Sequence, residues 1–303
     1  MSSRVFSNAS FQATKDQLSN NNNYIFKKPQ EKQVLHEKIN ALNVSINIIQ
    51  EENLEFSNSI LGQGAQGVVR KGKYLGSEVA IKSIVTTKNE NKNLLREIKI
   101  LDEIKHPNII TLMAVCPTVT QCHIVIEFFE SNLLHEILFD SNIELKLDIA
   151  SKSSIAFQLC EAVSYLHQQP QRFIVKMCDL GLSKSSLLSE TLESTIVGRC
   201  AGTLLYMASE ILMHSKVANE ATDVWSVACT LVELFTAKKV WNVKNAFDIT
   251  KILLKHDTPN LEGLPIFLRD DLKNCFSYKA EERPMISDLL DLLRLHNEFS
   301  LRS

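Results

Sequence analysis

A glycine-rich run in the first third of the chain has the composition of a phosphate-binding loop. The run consists of Gly62, Gln63, Gly64, Ala65, Gln66 and Gly67. Glycines let backbone N–H groups approach phosphate oxygens because no Cβ stands in the way. A dinucleotide-binding turn would need a helix directly after the third glycine, whereas Val68 to Gly72 begins with two valines and favours a strand. The run is therefore predicted to join two strands of a hairpin, although glycine spacing alone has low specificity.

Two charged residues follow this run at equal intervals. Lys82 ends the strand-like sequence Val79-Ala80-Ile81-Lys82, fifteen residues after Gly67, and Glu97 comes fifteen residues later. A single strand lysine or helical glutamate is usually solvated, so neither residue alone indicates a site. A lysine that reaches the α- and β-phosphates of a nucleotide needs a carboxylate to hold its long side chain in place. Together, the glycine run, Lys82 and Glu97 predict a site for nucleotide phosphates.

Apolar periodicity predicts the elements that position these residues. Strands are predicted at Ser57 to Leu61, Gly67 to Gly72, Glu78 to Ile84, Ile109 to Val115 and His123 to Phe128. Asn91 to Ile104 has the apolar stripe of a helix, which places Glu97 on that helix. Further helices are predicted at Leu147 to His167, Thr222 to Thr236, Ala246 to Lys255, Pro265 to Cys275 and Met285 to Leu295. This order predicts an α+β fold with a small β-rich lobe containing one helix, a larger helical lobe, and a cleft between them.

Composition restricts the functions that are open to this chain. Its 303 residues are 45% apolar and 22% charged, as in ordinary soluble proteins, and the net charge of -2 creates no field that would gather nucleic acid or an anionic membrane. The seven cysteines form no Cys-x-x-Cys pair, which favours reduced thiols and a cytoplasmic location. Val224 to Phe235 is the longest apolar-rich run; it is too short to span a bilayer and is predicted to be a buried core helix.

Residues 1–53 differ from the rest of the chain. Ser, Asn and Gln are frequent, and Asn20 to Asn23 is a polar tract, so this segment is predicted to be a disordered extension. A short helix is compatible with Gln30 to Val44, where Leu35, Ile39 and Leu42 share one face. Such a helix would be either a weakly packed extension or a docking element, and the pattern leaves both interpretations open.

The order of these motifs resembles that of the protein kinase family. The glycine run with Val69, the Val-Ala-Ile-Lys strand and helical Glu97 match the family's ATP-binding half. The match continues through His106 to Ile110, Asp179-Leu180-Gly181, Gly202-Thr203, Met207 to Glu210, Asp223 to Ser226 and Glu282-Arg283-Pro284. Leu180 stands where the family has phenylalanine, and Ser209 stands where it has proline. The resemblance implies a kinase domain at 54–296, with an N-lobe at about 54–127 and a C-lobe at about 131–296, closest to the tyrosine-kinase-like group of serine/threonine kinases.

The resemblance also implies ATP and Mg²⁺ as cofactors and a protein as substrate or signalling partner. Lys82 would hold the ATP phosphates and pair with Glu97, while Asp179 would bind Mg²⁺. Ile126 would be the gatekeeper residue beside the adenine. The nucleotide would further contact the glycine run with Val68, the adenine-lining residues Leu61, Val69 and Ala80, and the hinge residues Glu127 and Phe129.

One motif of the family has no counterpart in this sequence. The family's catalytic loop, His-Arg-Asp-Leu-x-x-x-Asn, supplies the aspartate that orients the nucleophile and an asparagine for a second Mg²⁺. The interval Gln168 to Cys178, where this loop is expected, contains no aspartate and no asparagine, and it is shorter than the family pattern by roughly a dozen residues, with the gap near 171–173. Asp223, which the resemblance implies bonds the backbone of that loop, is expected to be buried without this partner, at a cost of about 1–3 kcal/mol.

Three interpretations of the gap remain open. The chain is an active serine/threonine kinase, a pseudokinase that binds nucleotide or serves as a signalling scaffold, or an incomplete splice form or gene model of an intact kinase. Because the motifs on both sides of the gap are intact, the excision is clean, which favours the second and third interpretations.

Overall fold

The chain forms two units that differ in secondary structure. The computed structural model describes residues 35–64, 67–86, 91–130, 133–142, 144–169, 204–243 and 248–300. One unit holds the residues up to 105 together with 110–129, and the other holds 106–109 and the residues from 130 onward. The first unit is built on a β-sheet and the second is helical. The predicted α+β class is confirmed.

A six-stranded sheet makes up most of the described part of the first unit. Its strands are β1 (Asn47–Ile48), β2 (Leu54–Gly64), β3 (Gly67–Tyr74), β4 (Ser77–Val85), β5 (Leu112–Pro117) and β6 (Gln121–Glu127). Their order in the sheet is β1-β5-β6-β4-β3-β2, and β1 runs parallel to β5 while the other pairs are antiparallel. The five predicted strands are confirmed with shifted ends. β1 was not predicted, because two residues carry no periodic signal.

Residues 35–53 have a defined structure within the first unit. Residues 35–40 are helical (α1), and Glu51–Asn53 form a 3₁₀ turn before β2. Leu35 and Ile39 are buried, whereas Leu42 is half-buried. The structure therefore differs from the predicted disordered extension over these residues. The aliphatic side chains of α1 leave water, which favours an ordered segment.

Helix α2 (Asn91–Glu103) carries the predicted apolar stripe. Leu94, Ile98 and Leu101 are buried at the spacing of one helical face, and Glu97 is buried beside them. Because side chains alternate along the central strand β4, Val79 and Ile81 enter an apolar cluster, whereas Ala80 and Lys82 lie on the opposite face. The sheet thus has an apolar face and a second face, on which Lys82 meets α2.

The regular elements in the described part of the second unit are helical. They are α3 (Leu134–Phe139), α4 (Ile149–Gln168), α5 (Ser209–His214), α6 (Glu220–Thr236), α7 (Asp248–Leu254), α8 (Ile266–Cys275) and α9 (Ile286–Ser300). The five helices predicted for this half are confirmed, with α7 the shortest of them. The two short helices α3 and α5 were not predicted, since six residues show less than two turns of periodicity.

Helix α6 is the buried centre of the second unit. Asn219 caps its N-terminus by accepting a hydrogen bond from the Thr222 N–H at 3.2 Å. Its apolar residues are buried nearly all round, as predicted for a core helix. Glu233 is buried as well, and its carboxylate accepts hydrogen bonds from the Tyr206 hydroxyl at 2.7 Å and the Val240 N–H at 3.0 Å. Among the described helices, none combines the length and the apolar character needed to cross a membrane.

A buried ion pair joins two motifs that are far apart in sequence. The Arg283 guanidinium donates to both carboxylate oxygens of Glu210, at 2.8 and 2.7 Å. Arg283 also donates to the carbonyls of Ala221 and Ser277 and stacks over the Trp225 ring at 4.9 Å. Burial by itself would raise the pKa of Glu210, but the hydrogen bonds and positive charge of Arg283 outweigh burial and hold this pKa below its usual 4.5.

We expect Glu210→Gln to lower the free energy of unfolding by about 3–5 kcal/mol, because Arg283 would remain as a buried charge without its partner. Urea denaturation followed by tryptophan fluorescence measures this change. Asp291→Asn is the matched control, since Asp291 pairs with Arg294 at 3.0 Å on an exposed helix surface. Equal effects of the two variants would contradict the role assigned to the buried pair.

The same pair predicts a loss of stability in acid. Because the pKa of Glu210 is lower in the folded chain than in the unfolded chain, its contribution is complete above the unfolded pKa and is lost as the pH falls through the folded pKa. The stability difference between the natural chain and Glu210→Gln should therefore shrink as the pH falls from 7 to below about 4. A difference that stays constant over this range would contradict the prediction.

Candidate nucleotide-binding site

The glycine run forms the end of a β-hairpin, as its sequence predicts. β2 and β3 pair with Gly62 opposite Val69, Gln63 opposite Val68 and Gly64 opposite Gly67. Two residues of the run, Ala65 and Gln66, lie outside the described residues.

The first and third glycines differ in their surroundings. Gly67 has a φ of +139°, and a Cβ at this position would collide with the Ser83 carbonyl oxygen on β4. Gly67 is therefore required for the hairpin to lie against β4. A Cβ at Gly62 would meet no atom within 4 Å, so the space beside this glycine is open in the structure.

Lys82 and Glu97 form a buried ion pair. The Lys82 ammonium donates to Glu97 Oε1 at 2.8 Å, with only 12% and 9% of the two side chains exposed. β4 presents the lysine and α2 presents the glutamate, so the pair joins the sheet to its helix. An ammonium fixed by a carboxylate in this way is held in position to bind phosphate oxygens.

The predicted adenine-lining residues lie near this pair on β3, β4 and β6. Val69 is opposite Lys82, and Ala80 is opposite Ile126. Because directly opposite residues share a face and residues two apart share a face, these four side chains lie on one face of the sheet. Leu61 is placed differently: it lies in an irregularity of β2 between two register shifts and is 43% exposed.

The two hinge residues lie at and beyond the end of β6. The Glu127 N–H donates to the Thr111 carbonyl at 3.0 Å, and the Glu127 carboxylate accepts from the Thr111 N–H at 2.7 Å. A ligand could therefore use only the carbonyl of the Glu127 backbone. Phe129 is exposed.

The predicted magnesium ligand cannot be placed, because Asp179 lies outside the described residues. Among the residues that are described, no group of three or more His, Cys, Asp or Glu side chains could hold a metal ion. The donor set of the first unit, a fixed lysine and an open glycine hairpin, fits phosphate groups. A metal would have to be held by residues beyond this set.

Asp223 in the second unit has a side-chain partner that the sequence did not predict. Asp223 is buried, but it does not lack a side-chain partner, because its Oδ2 lies 2.9 Å from Nε2 of His167 near the end of α4. The expected cost of an unpaired buried carboxylate therefore does not arise. Nothing in the sequence signalled this pair, since the two residues lie on separate helices 56 positions apart.

Comparison with known families agrees with this geometry. Residues 55–293 match the sequence model of the family described as protein tyrosine and serine/threonine kinase. The chain belongs to the protein kinase family. The sheet-based unit is the N-lobe of the kinase domain and the helical unit is its C-lobe.

Several serine/threonine kinases are similar to this chain. A probable serine/threonine-protein kinase of Dictyostelium discoideum is 30% identical over 258 residues, which cover 78% of this chain and 27% of that protein. The serine/threonine-protein kinase CTR1 of Arabidopsis thaliana is 28% identical over 255 residues, covering 77% of this chain and 30% of CTR1. The match therefore spans less than a third of the length of these two relatives.

We expect Gly67→Ala to lower the free energy of unfolding by about 1–3 kcal/mol, because it adds a Cβ where the φ is positive and the Ser83 carbonyl is too close. Gly62→Ala adds the same atom to open space and should change it by no more than about 0.5 kcal/mol. Urea denaturation of both variants provides the comparison. If the two glycines tolerate alanine equally, the assigned difference between them is incorrect.

Proposed function

We propose that this kinase domain binds ATP but transfers its γ-phosphate much more slowly than an intact serine/threonine kinase. The buried ion pair between Lys82 and Glu97, at 2.8 Å, carries the binding half of the proposal. The lysine is already held in the position from which it can contact phosphates, so binding requires little rearrangement of this side chain.

Each residue of the proposed site has a distinct task. Lys82 neutralises phosphate charge, and Glu97 fixes its orientation. The hairpin from Gly62 to Gly67 offers backbone N–H groups to the phosphates, while Val69 and Ala80 contact the adenine. Asp179 is the residue that would hold Mg²⁺, which when bound neutralises the charge of the phosphate oxygens.

The transfer half of the proposal rests on the sequence of the C-lobe where the family's catalytic loop is expected. No aspartate or asparagine occurs from Gln168 to Cys178, so this interval offers no carboxylate to orient an incoming hydroxyl. In the match to the Dictyostelium kinase, 258 aligned positions include only 78% of the 303 residues of this chain, so the alignment contains gaps in this chain.

If transfer is slow, two functions remain: signalling through conformation and scaffolding. The similarity to other kinases favours an alternative, an active enzyme. An incomplete splice form or gene model would also explain the gap, and sequencing the transcript across Gln171 to Phe173 tests that explanation.

We expect Mg-ATP to raise the thermal stability of the chain, by about 2.7 kcal/mol at a concentration of 100 times Kd. Lys82→Met should reduce ATP affinity by about tenfold or more, because a charge-assisted hydrogen bond to phosphate is lost. Lys73→Met is the matched control, since Lys73 is an exposed lysine on β3. The double variant Lys82→Met/Glu97→Gln removes the unpaired buried carboxylate and shows whether Lys82→Met acts through unfolding.

Absence of any stabilisation by Mg-ATP in the natural chain would exclude nucleotide binding and leave the scaffold function. Equal loss of affinity in Lys73→Met would show that Lys82 has no special part in binding.

We expect phosphate transfer at least about a thousandfold slower than in an intact kinase, which corresponds to about 4 kcal/mol of activation free energy. The assay is incubation of the purified chain with Mg-[γ-³²P]ATP and a generic protein acceptor. Lys82→Met shows whether any signal comes from this site. Rapid labelling that Lys82→Met abolishes would contradict the proposal and establish an active kinase.

A further inference from the structure

The segment that precedes the matched kinase domain is attached to the helix that carries Glu97. This segment, residues 35–53, is called the flank here, and all of it precedes the match to the kinase family model, which begins at residue 55. It contains α1, β1 and the 3₁₀ turn, and Leu35 and Ile39 are buried within it. The flank is therefore a packed part of the N-lobe.

The flank contacts α2 through both oxygens of one carboxylate. The Ser45 N–H donates to Asp102 Oδ2 at 2.9 Å, and the Ser45 hydroxyl donates to Asp102 Oδ1 at 2.8 Å. Asp102 lies in the last turn of α2. A carboxylate there faces the negative end of the helix dipole, which is unfavourable, so the two donors from Ser45 compensate an arrangement that the helix alone disfavours.

The flank is also attached to the sheet. β1 pairs with β5, and the Ile49 N–H donates to the Val115 carbonyl at 2.9 Å. Glu51 lies 3.5 Å from Nε2 of His123, whose Nδ1 lies 2.8 Å from the Ser83 hydroxyl. Burial lowers the pKa of His123, although Glu51 opposes this shift. A neutral ring that donates to Glu51 and accepts from Ser83 satisfies all three groups.

These contacts make the flank a bridge between the sheet and α2. Asp102 follows Ile98 by four residues, and Ile98 is the fully buried neighbour of Glu97. A helix moves as a rigid element, so fixing its last turn against the sheet restricts the displacement of Glu97 from Lys82. A shift of about 1 Å lengthens a 2.8 Å contact beyond hydrogen-bonding distance.

We propose that the flank is a positioning element for the Lys82–Glu97 pair, and that Ser45 and Asp102 are its positioning residues. The bidentate contact between them holds α2 in the register at which Glu97 meets Lys82. The consequence for nucleotide affinity rests on the proposed function, whereas the effect on the ion pair does not.

The first test measures the ion pair without nucleotide. Lys82 in Ser45→Ala and Asp102→Ala should react about threefold to tenfold faster with an amine-acylating reagent, as quantified by peptide mass spectrometry with Lys73 as the internal reference. Hydrogen exchange of the α2 amides should accelerate by a similar factor. The double variant should show no change beyond that of Asp102→Ala, because Asp102→Ala removes both hydrogen bonds, whereas Ser45→Ala removes only the one from the hydroxyl.

Glu103→Ala is the matched control, since Glu103 is the adjacent carboxylate of α2 and lies 3.8 Å from the Lys99 ammonium on the helix surface. The helix dipole alone predicts that Asp102→Ala would stabilise α2, so loosening in this variant separates the flank contact from the dipole effect. Asp102→Asn keeps one acceptor and should have an intermediate effect.

Three outcomes would overturn the inference: unchanged Lys82 reactivity, an equal effect of Glu103→Ala, or exchange that accelerates equally in β3 and β4, which would indicate general destabilisation. The second test is the Kd of Mg-ATP in the same variants, which should rise with Lys82 reactivity. If reactivity changes as expected while the natural chain binds no Mg-ATP, the proposed function fails and the positioning role of the flank stands.

Discussion

In this N-lobe, Lys82 is half-buried and Glu97 is buried, and the contact between them lets each neutralise charge of the other. Removing an ammonium or a carboxylate from water costs several kcal/mol, and the attraction between Lys82 and Glu97 at 2.8 Å offsets that cost only while their geometry is kept. This requirement fixes α2 against β4. The apolar stripe of α2 packs the helix against the sheet. The ion pair then fixes the position along the helix axis at which the two elements meet.

The same constraint recurs in the C-lobe with other residues. Glu210 and Arg283 form a buried bidentate pair, and His167 and Asp223 form a second buried contact. Each pair joins two segments that are far apart in sequence and whose apolar residues alone would not fix their relative position. Because an unpaired buried charge is costly, these contacts tie the end of α4, the start of α5 and Arg283 before α9 to the central helix α6 or to segments packed around it.

Binding and transfer of phosphate make separate demands on a kinase fold. Binding needs positive charge, backbone donors and a flat apolar face, all of which belong to the sheet and its helix. Transfer also needs a group that orients the nucleophile, and this group belongs to a loop of the C-lobe. A deletion in that loop can therefore remove the group needed for transfer while the groups needed for binding persist. In this chain the buried Asp223 of α6 has a partner in His167.

The sequence by itself determined the glycine hairpin, the five main strands of the sheet, the long helices and the family, because each depends on local periodicity or on the order of short motifs. It also singled out Lys82 and Glu97 as partners, because of their places in the ordered series of motifs that resembles the kinase family. Only the tertiary structure decided that Ser45 bonds Asp102, that His167 meets Asp223 and that Arg283 holds Glu210. These pairs are 57, 56 and 73 residues apart, and their side chains are ordinary surface types whose burial depends on how whole elements pack. Local pattern cannot encode such contacts, because they arise from the relative placement of helices and strands and not from the conformation of any one of them.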